Sequence, residues 1–264
     1  MKIKYQNRAL VSFKGKCPMN CKHCYTFDLD DQEEISDVSE VVNANIPVDC
    51  DIIYVSQRYE NFYDEEIGYD LCSSLYEKYH KDVFIITRSV LSDAMMQKLS
   101  DLNKQMAMKG HTLYLSVSIC ADASYTVTED VKNCPTPSQR ISNLQRAHMH
   151  GIRTVLMLRP IFPDKIIPIS ECLSFISQYA YCIDAVVTSG LIVTQNILKR
   201  LNLKQDELAY NSTGDSSYLA DLQGKEIYYV DVENELHQIE SQCAMNHVPC
   251  FRHSMPALNF IANH

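Results

Sequence analysis

Ala9-Leu10-Val11-Ser12-Phe13, followed by Lys16-Cys17-Pro18-Met19-Asn20-Cys21-Lys22-His23-Cys24-Tyr25, is the stretch that decides how this chain is read. A short β-rich run feeds directly into a loop with three cysteines in the spacing C-x3-C-x2-C. In a reducing compartment a lone cysteine is by default a small buried apolar residue. That default suits Cys50, Cys72, Cys120, Cys172 and Cys182, each set among strand-like or helix-like residues, but not a triplet within eight positions. Three thiolates on one loop can take three corners of an iron–sulfur cube and leave its fourth iron open. Zinc is the rival reading, although a structural zinc site normally takes four ligands from C-x2-C pairs. His23, lying between two of the cysteines, reads as a packing residue. A disulfide framework would leave one of the eleven cysteines unpaired and would need an oxidising compartment.

Outward from this loop, β-rich runs alternate with helix-like stretches, the pattern of βα units and a parallel sheet. Strands are expected at Asp51–Val55, Val83–Ile86, Leu113–Ser118, Arg153–Leu158 and Ala185–Thr188. Helices are expected over about Ser36–Asn45, Asp64–His80, Ser92–Met108, Pro137–His150 and Ser170–Tyr181, with Gly151 ending the fourth. Six such units make an α/β fold of the incomplete (β/α)6 TIM-type barrel kind, since a full eight-unit barrel typically needs about 250 residues. The expected organisation is one domain: residues 1–200 as the partial barrel and residues 201–264 as a C-terminal extension over the substrate side.

Composition sets the outer bounds. The 264 residues are 46% hydrophobic and 22% charged, enough to bury a core. With 24 Lys and Arg against 33 Asp and Glu, the net charge of −9 supplies no sequence-wide field for a polyanion, which argues against tight nucleic-acid binding. The first eight residues lack an apolar stretch of signal-peptide length, and no run approaches the roughly 18 residues of a membrane span. A cytoplasmic protein without a membrane partner is the expectation.

The C-x3-C-x2-C loop after the first strand resembles the signature of the radical S-adenosylmethionine (SAM) family. Later segments resemble its spore photoproduct lyase-like branch over roughly residues 9–260. The resemblance implies that Cys17, Cys21 and Cys24 ligate a 4Fe-4S cluster and that SAM binds the open iron. It also implies one-electron reduction by a partner such as flavodoxin or ferredoxin, and a 5′-deoxyadenosyl radical that abstracts hydrogen from substrate. Where many relatives carry a Gly-Gly-Glu turn, this chain has Ser56-Gln57-Arg58-Tyr59-Glu60, so Ser56 or Glu60 would meet the SAM amino group. Thr87-Arg88-Ser89 is similar to the branch's Thr-Lys/Arg-Ser, which places Arg88 and Ser89 toward the SAM carboxylate and ribose. Ser116 and Ser118 alternate onto one face of their strand, read as the inner one. Cys134-Pro135-Thr136-Pro137-Ser138-Gln139-Arg140 looks like the branch's Pro-x-x-x-Arg helix start. Arg159, in Leu158-Arg159-Pro160-Ile161, is similar to its Arg-x-Pro-Ile strand end and is a further cofactor candidate.

Near the C-terminus, Cys243 and Cys250 lie seven apart with His247 and His253 close by. They are open to three readings: structural residues, a thiol hydrogen donor, or metal ligands. Two thiols are too few for a second cluster, and Cys250 in Val-Pro-Cys-Phe, read as a strand ending at the barrel mouth, is the donor candidate. Two rivals stand beside the enzyme: a metal-binding partner protein without turnover, and a degenerate radical SAM fold. The substrate stays open among a nucleotide, a small metabolite and a peptide.

Overall fold

The computed structural model describes residues 3–28, 37–43, 46–47, 49–55, 58–130, 132–211 and 226–264. Its strands are β1 (Arg8–Val11), β2 (Ile52–Val55), β3 (Asp82–Thr87), β4 (Leu113–Ile119), β5 (Arg153–Ile161), β6 (Ala185–Gly190), β7 (Ile192–Val193), β8 (Tyr210–Asn211), β9 (Tyr228–Val230) and β10 (Cys250–Phe251). Its α-helices are α1 (Val38–Asn43), α2 (Glu65–Tyr79), α3 (Asp93–Met108), α4 (Tyr125–Thr128), α5 (Pro137–Met149), α6 (Ile169–Tyr179), α7 (Gln195–Leu201), α8 (Glu233–Met245) and α9 (Ser254–Ile261). Strands β1-β2-β3-β4-β5-β6-β10 form one sheet in that order, and every neighbouring pair is parallel. This is the expected incomplete α/β barrel, with one strand more than the six units read from the sequence. The extra strand, β10, enters by a crossover through α8, as a parallel strand must. A small antiparallel sheet, β7-β9-β8, lies beside the large one.

Local sequence explains the elements. The fully buried runs of β2, β3 and β4 are Val-, Ile- and Leu-rich because both faces of a parallel sheet are covered. Asp64 caps α2 through Glu66 N and Ile67 N, and Ser92 caps α3 through Met95 N. Thr136 and Gln139 form a reciprocal capping box at α5, with Pro137 in its first turn. Gly68 on α2 has no room for a side chain. A Cβ there would lie 2.8 Å from Asn61 O and 2.9 Å from the Phe62 ring, so α2 seats directly against the turn that follows β2.

Alternation divides the core. Outward-facing residues of β4–β6 such as Val117, Leu156, Leu158 and Val186 pack with α5, α6 and α8, while those of β2–β4 such as Ile53, Ile85 and Leu115 pack with α2 and α3. Inward-facing Ile52, Tyr54, Phe84, Tyr114, Val155, Met157, Ala185 and Val187 meet Ala257, Leu258 and Ile261 of α9. Helix α9 thus fills the concave side. Asn259 locks it to the chain just before β1, where its Oδ1 accepts from Lys4 N (2.7 Å) and Tyr5 N (2.8 Å) and its Nδ2 donates to Tyr5 O (2.8 Å). Of the expected substrate-side extension, residues 212–225 lie outside the described residues. Its described C-terminal part supplies an outer helix, an edge strand and an inner plug.

Candidate functional site

The cysteine loop leaves β1 at its C-terminal end, the end where βα barrels carry their chemistry. Three neighbours hold it. Phe13 N donates to Asn61 Oδ1 (3.1 Å) at its start, and Lys22 N donates to Thr128 O (2.9 Å) across the barrel mouth. Arg200 of α7 grips its far end: Nε donates to Lys22 O (2.9 Å), Nη2 to Cys24 O (2.7 Å) and Nη1 to Asp28 Oδ1 (2.8 Å). Asp28 in turn accepts from Thr194 Oγ1 (2.5 Å), the N-cap of α7. Asn20 takes a left-handed turn (φ 50°) between the first two cysteines, a conformation that asparagine tolerates.

Cys21 is buried, Cys17 and Cys24 are half-buried, and all three pack with Met19 and Cys134. Burial pushes the Cys17 thiol up to about 12, against amide hydrogen bonds from Met19 and Glu60 that favour the thiolate. Cys24, also raised by burial, lies 2.9 Å from Thr26 Oγ1. Cys21 is lowered, first by a hydrogen bond with the Cys134 thiol. Among the described residues no three His, Cys, Asp or Glu side chains converge as ligands of one ion do. A cubane differs in that each thiolate binds a separate iron. Three loop thiols, two of them reaching the surface and the first met by backbone amides, therefore fit a cluster better than a structural zinc.

Beneath the loop lies a buried charged layer. Arg88, just beyond β3, pairs with Glu129 Oε1 and donates to Ser118 Oγ (2.9 Å). Arg140 of α5 forks onto the same carboxylate at 3.1 and 2.6 Å, and donates to Ser118 O (2.6 Å). Burial alone would raise the Glu129 pKa, but the two guanidinium groups outweigh it and the net shift is downward. His23 is depressed to about 3, by burial first and then by Arg88, so it is neutral. Its Nδ1 donates to Thr128 O (3.2 Å), leaving Nε2 as acceptor toward Arg88 Nη2 (3.4 Å). It also sits edge-on to Phe162 at 6.3 Å, the packing role read from the sequence.

The structure brings most of the remaining candidates to this mouth. Glu60 lies under Cys17, its Oε1 accepting from Thr87 Oγ1 (2.7 Å) and Phe62 N (3.2 Å) and its Oε2 from Arg88 N (2.7 Å). Its carboxylate thus ties the turn after β2 to β3. Ser89 is buried, and its backbone is held by Thr87 Oγ1 and Asn143. Ser116 and Ser118 face inward beside Tyr114, with Ser116 Oγ donating to Ile85 O (3.1 Å). Arg159 also faces inward, from the end of β5. Ser56 lies outside the described residues. Cys250 is not part of the group: Phe251 takes the inner face of β10, while Cys250 points outward to the α6 and α8 core, in hydrogen-bonding contact with Cys243. Cys134, Glu129 and Arg200 were absent from the sequence-derived site. They lie about 100 or more positions downstream of the loop and carry no spacing signal toward it.

No family model matches this sequence, and no curated protein matches it either. Solved structures do. Spore photoproduct lyase complexed with dinucleoside spore photoproduct superposes with a TM-score of 0.66 at 11% identity, covering 94% of this chain and 78% of that one. A mutant of the lyase with bound AdoMet and dinucleoside spore photoproduct gives 0.61 at 10% identity, over 90% and 72%. The anSMEcpe protein with bound AdoMet gives 0.55 at 11% identity, over 92% of this chain and 63% of that one. The chain has the fold of the radical SAM enzymes. Within that class its fold is spore photoproduct lyase-like.

Proposed function

We propose that this protein is a radical SAM enzyme in which Cys17, Cys21 and Cys24 hold a 4Fe-4S cluster and the barrel mouth receives SAM. The observation that carries this reading is the pinned cysteine loop standing at the C-terminal ends of β1–β6, directly over Arg88, Ser118 and Glu60. When bound, the cluster supplies the electron that splits SAM into methionine and a 5′-deoxyadenosyl radical, which takes a hydrogen from substrate.

The chain's own residues do the rest. Arg200, Asn61 and Thr128 fix the loop so that three thiols present together. The amides of Met19 and Glu60 stabilise Cys17 in its charged form, as ligation requires. Arg88, Ser89, Ser116 and Ser118 line the side where the anionic, polyhydroxylated cofactor would lie, and Glu129 keeps Arg88 in place. Half-buried His23 and buried Phe162 keep water from the underside of the loop. A small one-electron donor such as flavodoxin or ferredoxin completes the cycle. The substrate is a nucleotide, a small metabolite or a peptide, in keeping with the acidic balance of the chain.

The test is anaerobic reconstitution with iron and sulfide, followed by SAM and dithionite. Broad absorption near about 400 nm and release of 5′-deoxyadenosine are expected. A folded protein with all three cysteines intact that gives neither is not a radical SAM enzyme.

A further inference from the structure

The barrel interior holds a charge that the proposed chemistry leaves unused. Alternation along β5 turns Arg159 to the concave face with Val155 and Met157. Its charged and phenolic neighbours there are Tyr54, Arg88, Arg8 and Tyr25. Among the described residues its guanidinium meets no carboxylate and makes no hydrogen bond; only its backbone carbonyl is engaged, by Ser118 and Cys120. Burial accordingly pulls its pKa below the ordinary guanidinium value. An acidic chain has carboxylates to spare, and it uses them elsewhere. Arg88, Arg140, Arg146, Arg153, Arg200 and Arg252 each pair with an Asp or Glu. Arg159 is half-buried, so its guanidinium, left without an anion of the chain, is placed to meet one that a ligand brings.

A second cation and a helix end face the same space. Arg8 of β1 lies over the Tyr54 ring (5.1 Å to its centroid), and its Nη1 donates to Ser254 Oγ (3.4 Å). It too pairs with no carboxylate among the described residues. Tyr54 Oη donates to the same Ser254 oxygen at 3.0 Å. Ser254 opens α9, and His253 before it makes no side-chain capping bond, so the first amides of this helix leave its positive end uncapped. Two guanidinium groups, a hydroxyl and a helix N-terminus form a donor set for a tetrahedral oxyanion.

We propose that Arg159, Arg8 and the N-terminus of α9 form a subsite for a phosphate group of the substrate, which makes that substrate a phosphorylated small molecule or nucleotide. This rests on the radical SAM reading only for what happens at the substrate's other end. The rival source of an anion is the carboxylate of SAM itself. The reconstituted protein is therefore titrated by calorimetry with inorganic phosphate, acetate and SAM, alongside Arg159→Gln, Arg159→Lys and Arg8→Gln.

Phosphate is expected to bind about tenfold more tightly than acetate and to lose about tenfold in Arg159→Gln. Arg159→Lys should recover part of that loss, Arg8→Gln should lose less than Arg159→Gln, and SAM affinity should change less than about twofold. Phosphate binding that is equal in the parent, Arg159→Gln and Arg8→Gln overturns the subsite. SAM affinity falling in step with phosphate assigns Arg159 to the cofactor and overturns it as well. A protein that releases 5′-deoxyadenosine yet ignores phosphate sinks the subsite alone, whereas one that binds phosphate without cleaving SAM sinks the enzymatic reading alone.

Discussion

Two groups of sulfur atoms stand around the same sheet, one at its strand ends and one on its outer face. The loop of Cys17, Cys21 and Cys24, joined by Cys134, lies at the strand ends, where backbone amides reach the first thiol and two of the three loop thiols reach the surface. Cys243 and Cys250 also approach within hydrogen-bonding contact, but between α8 and β10, against the outer apolar core. Proximity of thiols is common to both. Cys250 even has a thiolate-favouring amide of its own, from Phe251; presentation at a barrel mouth belongs only to the first group, and that difference separates a candidate cluster site from a packed pair.

The sharpest way to break the contrast is to remove one thiol from each group. Cys21→Ala is expected to abolish iron and sulfide retention after reconstitution, whereas Cys250→Ala keeps both and still releases 5′-deoxyadenosine from SAM. Equal iron loss, read by elemental analysis, would erase the distinction. Next in size is the charged layer beneath the loop. Glu129→Gln leaves two buried guanidinium groups facing a neutral amide and is expected to cost about 3–5 kcal/mol in urea unfolding. Because the Glu129 pKa is lowered in the fold, its contribution is fully present above the unfolded carboxylate value of about 4.3 and is lost as pH falls through the folded one. The parent's unfolding free energy should therefore decline with acid more steeply than that of Glu129→Gln.

Arg200→Ala withdraws the clamp on Lys22 O and Cys24 O, for about 1.5–3 kcal/mol of charge-assisted hydrogen bonding. Its expected sign is faster iron release to a chelator, with little change in the far-ultraviolet circular dichroism of the sheet. The smallest effect is reserved for Cys134→Ala. Iron content should hold, but loss of the thiol hydrogen bond to Cys21 should move the cluster potential downward in a redox titration, since hydrogen bonds to cluster sulfurs raise it. An unmoved potential would mean that Cys134 merely packs against Met19.

Much of this was legible in the chain. Runs such as Ile52–Val55 and Leu113–Ile119 announce buried parallel strands because both of their faces are covered, and Thr136 with Gln139 announces a helix start because capping is local. The cysteine loop was legible for the same reason: its three thiols lie within eight residues directly after the first strand. Cys250 shows the limit. Its strand was foreseen, but a shift of one residue in alternation decides which face a side chain takes, and in a strand of two residues nothing local fixes it. Glu129, Arg140 and Arg200 reach the loop only through the fold, and no spacing connects them to it.

The sequence by itself thus determined a parallel α/β partial barrel and a three-cysteine loop at the end of its first strand, because hydrophobic period, caps and cysteine spacing all act within a few residues. Only the tertiary structure decided which arginines are neutralised and which are not. It paired Arg88 and Arg140 with Glu129, clamped the loop with Arg200, and laid the first turn of α9 beside Arg8, which meets no carboxylate among the described residues. Ion pairs form between side chains brought close in space, and that closeness is set by how the strands and helices of the partial barrel pack rather than by any neighbourhood along the chain.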